Sequence, residues 1–347
     1  MTMKPTEYLS RNTEAVADTL AAMIEREFSA CSCSSRGGYL DQAYPTMVTT
    51  GDRTKLVDWC YKVVDHCHLS RVTVASAMDM VDRFLSLPSN SADAAMAALR
   101  DQSKFQLLTV TALYLSIKLN EQVAIPIDQF SSEVCRNVYS ASEIEDMERT
   151  LLSGLSWRCH APTAHEVGLS ILSLLLPYVN IPEVTWGFLM DEMTYLSELA
   201  VRDYYFSTQR TSTIALAAIL NAIGISGMTS GLKDLLRAYL RVIMENFDFD
   251  HPKQVAAAMK RLRFFANLPE LLDMDERSLD DDSVKTRIVS NTSTHISERD
   301  LEGLSLFCSR RDASGDNVRK VSPRSSLRDV SGWSDQDLYD LSCNDHY

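Results

Sequence analysis

Few side chains in this sequence combine reactive type with catalytic spacing. Cys159, His160 and His165 lie close enough to suggest a thiol nucleophile with a histidine base. No signature around them orders such a pair, and they read as loop and helix-start residues. Cys60, His66, Cys67 and His68 are zinc-ligand types. At helical spacing, however, the two cysteines share one face while both histidines point elsewhere, so no metal is expected. Gly227-Met-Thr-Ser-Gly231-Leu-Lys233 lacks the spacing and the Gly-Lys-Ser/Thr ending of a phosphate-cradling loop, and no GxGxxG, HExxH or Gly-x-Ser-x-Gly occurs. The chain therefore reads as a non-enzyme without a cofactor. What remains is a set of charges in apolar company: Arg53 before the Trp59 helix, Asp82-Arg83 after an apolar stripe, Lys118 closing the most hydrophobic helix, and Glu148 beside Met147. Each taken alone reads as a helix-end or surface charge.

The elements that must position these charges are helical. Leu56, Trp59, Cys60, Val63, Val64 and Cys67 form one apolar stripe, and Val74, Ala77, Met78, Val81 and Leu85 repeat it, with Pro88 as a stop. The run from Phe105 to Leu119 is apolar almost all round, as expected of a helix at the centre of a bundle. Pro126 leads into Ile127–Val134. Ser140-x-x-Glu143 opens a helix carrying Ile144, Met147, Leu151, Leu152 and Leu155. This makes five helices between Arg53 and Trp157. A second set of five follows Ala161-Pro162-Thr163: His165–Leu176, Trp186–Tyr204, Thr211–Ile223, Gly231–Asn246 and Lys253–Arg263, an internal repeat. An earlier amphipathic helix spans Glu14–Phe28. The expected organisation is an arm with one helix (1–50), two all-α five-helix bundles (51–161 and 162–265), and an acidic, Ser-rich, mostly disordered tail (266–347) with short apolar clusters such as Leu301–Phe307.

Composition fits this reading and narrows the partners. The 347 residues are 45% hydrophobic and 23% charged, with only 12 Gly and 10 Pro. A net charge of −13 is a poor match to duplex DNA or an anionic membrane, so neither is expected as a partner. The tail has 17 acidic residues against 10 basic ones. No apolar run reaches the roughly 20 residues of a membrane span. Met1–Arg11 shows no basic flank followed by an apolar segment, so no signal peptide is expected. Cys31, Cys33, Cys60, Cys67, Cys135, Cys159, Cys308 and Cys343 read as reduced thiols of a nuclear or cytoplasmic protein.

In company, the charges take on a pattern. The series Arg53-x-x-Leu56-Val57-Asp58-Trp59, Asp82-Arg83-Phe84-Leu85, Leu107-Leu108-x-Val110-x-Ala112-Leu113, Lys118-x-x-Glu121, Met147-Glu148 and Ala161-Pro162-Thr163 resembles the cyclin box, in order and in interval. Tyr195-Leu-Ser-Glu-Leu199 and Ser212-Thr-Ile214-Ala215 resemble the family's second fold more weakly. The resemblance implies two tandem cyclin-type bundles and a regulatory subunit that forms a heterodimer with a cyclin-dependent kinase, activates it and so controls cell-cycle progression. It implies that Lys118 and Glu148 grip the backbone at the start of the kinase's C helix, with Leu119 and Glu121 beside them, and that Arg53 and Asp82 form a structural ion pair. Leu56, Trp59 and Gln106 match a substrate-docking patch. That patch is degenerate, because Lys55 and Lys62 stand where an apolar residue and an acid are usual, so weak or absent docking of basic Arg-x-Leu peptides is expected. Asn120 replaces an acid after Lys118. Ser314 and Ser322 are candidate phosphorylation sites, and kinase substrates and degradation machinery are further candidate partners. No destruction box is evident before residue 50, and the short arm is more similar to G1-type or environmentally responsive cyclins than to mitotic ones. A transcription-type cyclin-fold protein and a non-activating scaffold are the alternative readings.

Overall fold

Two helical bundles, each wrapped around a buried helix, form the body of the protein in the computed structural model. It describes residues 5–30, 38–41, 46–87, 93–179, 181–250 and 252–268. Ser314, Ser322, Pro88, the 301–307 cluster, the rest of the tail and four of the cysteines (Cys31, Cys33, Cys308, Cys343) lie outside the described residues.

The first bundle comprises α2 (Thr50–His66), α3 (Val72–Leu85), α4 (Asp93–Arg100), α5 (Gln102–Asn120), α6 (Ile127–Gln129), which continues as a wide π-type turn over Phe130–Val134, and α7 (Ala141–Gly154). Helix α5 is the hub, packed against α2, α3, α4 and α7. Its residues from Leu108 to Ile117 are all buried, as its nearly unbroken apolar circumference requires. Between Arg53 and Trp157 the expectation of five helices is corrected by α4. Its Ala94, Ala95, Ala97 and Ala98 favour helix without forming a stripe of large apolar residues, so periodicity does not reveal it. Asp101 then caps α5, its carboxylate accepting from the Ser103 and Lys104 amides.

The second bundle comprises α8 (Ala164–Leu175), α9 (Glu183–Arg202), a 3-10 turn (Tyr204–Thr208), α10 (Thr211–Ile225), α11 (Ser230–Asn246) and α12 (Pro252–Phe265). Helix α10 is its hub, buried from Ser212 to Gly224. Capping boxes start α2 (Thr49 with Asp52), α7 (Ser140 with Glu143) and α8 (Thr163 with Glu166). The Thr163 cap gives the Ala161-Pro162-Thr163 sequence its local role, because it begins the second repeat at a fixed position.

Helix α1 (Pro5–Ala30) belongs with the second bundle. Ala17, Leu20 and Ile24 join the core formed by Val167, Ile171 and Leu175. Glu27, near its C-terminal end, is buried and accepts from the Thr211 hydroxyl and the Ser212 amide, both at 2.9 Å, with Arg210 at 3.4 Å. An acid from one helix thus caps the N-terminus of another, where the helix dipole favours negative charge.

Candidate functional site

The charged residues fall into two constellations. The first is buried. Arg53 on α2 meets Asp82 on α3 through two parallel bonds, Nε to Oδ1 at 3.0 Å and Nη2 to Oδ2 at 2.6 Å. The Tyr39 hydroxyl also donates to Asp82 Oδ1, at 2.9 Å. The remaining guanidinium nitrogen, Nη1, donates to the Val201 carbonyl near the end of α9. Burial alone would lower the Arg53 pKa, but Asp82 more than offsets it and the pKa is raised. The pair joins α2 to α3 and both to the second bundle.

The second constellation is at the surface. Lys118, in the last turn of α5, pairs with Glu148 on α7. The ammonium lies 4.9 Å from the Tyr114 ring centre and at the C-terminal end of its helix, two settings that favour a cation. Burial and the nearby Glu148 charge raise the Tyr114 pKa. Lys118 is 38% exposed and Glu148 14%, so neither is sealed under its own loops.

The pair sits on the lip of a cleft of about 520 Å3. Leu115, Leu119, Leu152, Trp157 and Cys159 supply its apolar surface, and Arg26, Arg83, Arg158 and His160 complete the lining. Trp157 is 75% exposed. Its backbone and that of Ser156 are both left-handed, with φ of 62° and 51°, and this holds the indole out past the end of α7. The Trp157 amide donates to the Leu152 carbonyl at 2.9 Å, closing the helix end. Gly154 lets the end of α7 pack closely on α3, since a Cβ there would come within 2.6 Å of the Phe84 ring. Behind the cleft, Arg83 donates through Nε to Asp79 and through Nη1 to the Arg158 carbonyl, both at 2.7 Å. Burial raises the Asp79 pKa against the opposing pull of Arg83, and burial also raises the Cys159 thiol pKa.

Not every residue of the expected site meets here. Leu119 lines the cleft. Glu121 does not: its Oε1 accepts from the Ser70 amide and the Thr73 hydroxyl, anchoring the start of α3. Asn120 folds back to donate to the Ser116 hydroxyl at 3.0 Å. Leu56 and Trp59 are buried, and the Gln106 carbonyl accepts from the Tyr139 hydroxyl at 3.1 Å. Lys55 and Lys62 are both exposed on α2, the helix that carries Leu56 and Trp59. Sequence reasoning missed Arg26, Leu115, Leu152, Trp157 and Arg158 as members of one site. The available signal was an aromatic residue directly after a helix end.

Among the described residues no His, Cys, Asp and Glu group could hold a metal ion, and no helix is long and apolar enough to cross a membrane.

Comparison with known proteins gives this geometry its context. The cyclin N-terminal domain family matches residues 18–160. Cyclin-A2-1 of Oryza sativa subsp. japonica is 27% identical over 187 residues, covering 54% of this chain and 35% of that protein. G2/mitotic-specific cyclin-B of Arbacia punctulata is 29% identical over 184 residues, covering 52% and 39%. The match thus spans well under half the length of these curated relatives. They are of the A and B types, and the leaning of the short arm towards G1-type cyclins finds no counterpart in them. Among solved structures, the viral cyclin of herpesvirus saimiri superposes with a TM-score of 0.56 at 15% identity, over 76% of this chain and 99% of that one, a likeness of fold. With the ordered motif residues, the tandem bundles and the family match agreeing, residues 18–160 carry a cyclin box.

Proposed function

We propose that this chain is a non-catalytic regulatory subunit that binds a cyclin-dependent serine/threonine kinase and activates it by seating the kinase's C helix in the cleft. The observation that carries the reading is the Lys118–Glu148 pair, with the lysine partly exposed and the glutamate mostly covered, on the lip of an apolar hollow. An ammonium has three donors and a carboxylate about four acceptor sites, so each can keep the other and still take a partner's backbone carbonyl or amide. Backbone groups carry no side-chain identity, so the pair reads the position of a helix end.

The energetics are sufficient. Moving a kinase from 1% to 99% active needs about 5.5 kcal/mol of differential binding. Two charge-assisted bonds supply roughly 1.5–3 kcal/mol each, and burying the exposed Trp157 and part of Leu119 adds to them. Closing the C helix lets the kinase lysine pair with its helix glutamate and orient the ATP phosphates. The place of action in this reading is the nucleus, the cytoplasm or both, with cell-cycle control as the outcome.

The test is co-expression with cyclin-dependent kinases and assay of a histone-type substrate. The wild-type chain should co-purify with a kinase and raise its activity, while Lys118→Ala/Glu148→Ala should lose both effects. Normal activation by the double variant would refute the assigned roles. Binding without activation would favour the scaffold reading.

A further inference from the structure

A cavity of about 130 Å3 lies between the two bundles. Ala75 and Met78 of α3 line it from the first bundle, and Ala200, Val201, Phe206 and Ile214 line it from the second. The volume is close to the roughly 150 Å3 that accommodates benzene in an engineered apolar core, so one ring fits and a nucleotide does not. The charges around it cancel in pairs. Arg53 meets Asp82, Arg71 meets Glu198 and Arg83 meets Asp79, while Glu27 holds Thr211, Ser212 and Arg210. The Tyr61, Ser197 and Ser207 hydroxyls donate to backbone carbonyls. An ion entering this space would leave its hydration behind and find no unmatched countercharge.

Unused hydrogen-bonding capacity remains at two lining residues. His165 places Nδ1 3.3 Å from the Thr194 hydroxyl, which leaves its other ring nitrogen for a guest. Arg83 Nη2 is enclosed and has no acceptor, although the guanidinium charge is answered by Asp79. We infer that this cavity binds a neutral, single-ring organic molecule carrying one small polar group such as a hydroxyl, and that the bound molecule clasps the two bundles together. The ring packs between α3 and α9, and its polar group meets His165. Apolar walls with a few placed polar groups, at a junction between two folded units, are the usual setting of a small-molecule site. Because the walls come from both bundles, the guest binds only while they are docked, and its binding free energy therefore adds to their docking. Arg71 lines the cavity and is exposed, so its pair with Glu198 marks the route in from solvent.

The probes are phenol, toluene, benzoate and benzylamine, each titrated into the full chain by calorimetry and thermal unfolding. Phenol and toluene should bind saturably and raise the unfolding temperature, phenol more tightly, and the two ions should bind at least tenfold more weakly. Hydrogen exchange should slow on α3 and α9 together when phenol is added. Ala75→Leu should fill the space, abolish binding and leave a chain at least as stable as wild type. Ala200→Met tests the same filling from the opposite wall should the first variant not fold. His165→Phe should bring phenol down to the affinity of toluene. No response to either neutral ring, equal affinity for the ions, or binding that survives both filling variants would overturn the site. Protection confined to one bundle would overturn the clasp.

Discussion

Arg53 Nη1 lies 2.7 Å from the Val201 carbonyl oxygen, 148 residues further along the chain, so one guanidinium holds the first bundle to the second. The contact does not stand alone. Arg71 bridges Asp65 and Glu198, Arg202 pairs with Asp58, and the Tyr61 hydroxyl donates to the Glu198 carbonyl. The exposed pairs contribute little each, whereas Arg53 is buried with every nitrogen partnered.

Arg53→Ala should therefore lower unfolding stability by about 3–5 kcal/mol, because it leaves Asp82 buried without its countercharge. Denaturant unfolding checks this. Arg202→Ala at the exposed pair should cost under about 1 kcal/mol. Equal costs for the two would show that burial is not what sets the value of these contacts.

Glu27→Gln should loosen α1 selectively. It removes the charge opposite Arg210 while keeping an acceptor for Thr211 and Ser212, and a loss of about 1–3 kcal/mol is expected. Hydrogen exchange should then rise first along α1 and the start of α10, ahead of the first bundle. Uniform acceleration across both bundles would contradict the local role.

His165 gives the fold a pH response. It lies between the bundles in a cavity of about 130 Å3, its Nδ1 3.3 Å from the Thr194 hydroxyl, and burial lowers its pKa, opposed by Glu166. The unfolded chain then binds a proton more readily than the folded one as pH falls from about 7, so this contribution to stability is present above the unfolded pKa and is lost on acidification through it. His165→Phe should flatten the decline between about pH 7 and 5. An unchanged slope in thermal melts would exclude His165 as its source.

Ser156→Gly and Trp157→Gly should each stabilise the free protein by up to about 1 kcal/mol, since both positions hold left-handed backbone. Only Trp157→Gly should also weaken the proposed kinase binding, because it removes the exposed indole from the cleft. Calorimetry and a binding assay separate the two effects. A Trp157→Gly variant that binds as tightly as wild type would remove the indole from the site.

Much of this architecture is legible in the sequence, for a physical reason. Burial leaves a periodic record, so the α2, α3 and α7 stripes and the nearly all-apolar α5 and α10 can be read directly. The ordered motifs also locate Lys118 and Glu148 as a pair and Arg53 and Asp82 as another. Small residues leave no such record, which hides α4. The bonds of Glu121 to the start of α3 were not legible, because sequence gives the spacing of a carboxylate along a helix end but not the amide it turns to meet. The cleft drew Arg26 from α1 and Arg158 from the loop after α7, residues more than a hundred positions apart, and no local pattern announces that meeting. Nor does composition show positive φ at Ser156 and Trp157, because neither residue type favours it.

Helix α1 lies across α8 as a cover over Val167, Ile171 and Leu175. A protease that clips the chain ahead of α2 would therefore do more than shorten it. It would strip the lid from an apolar strip of the second bundle and leave that strip open to aggregation. The integrity of the second bundle's core thus depends on a helix that precedes the first bundle in the chain.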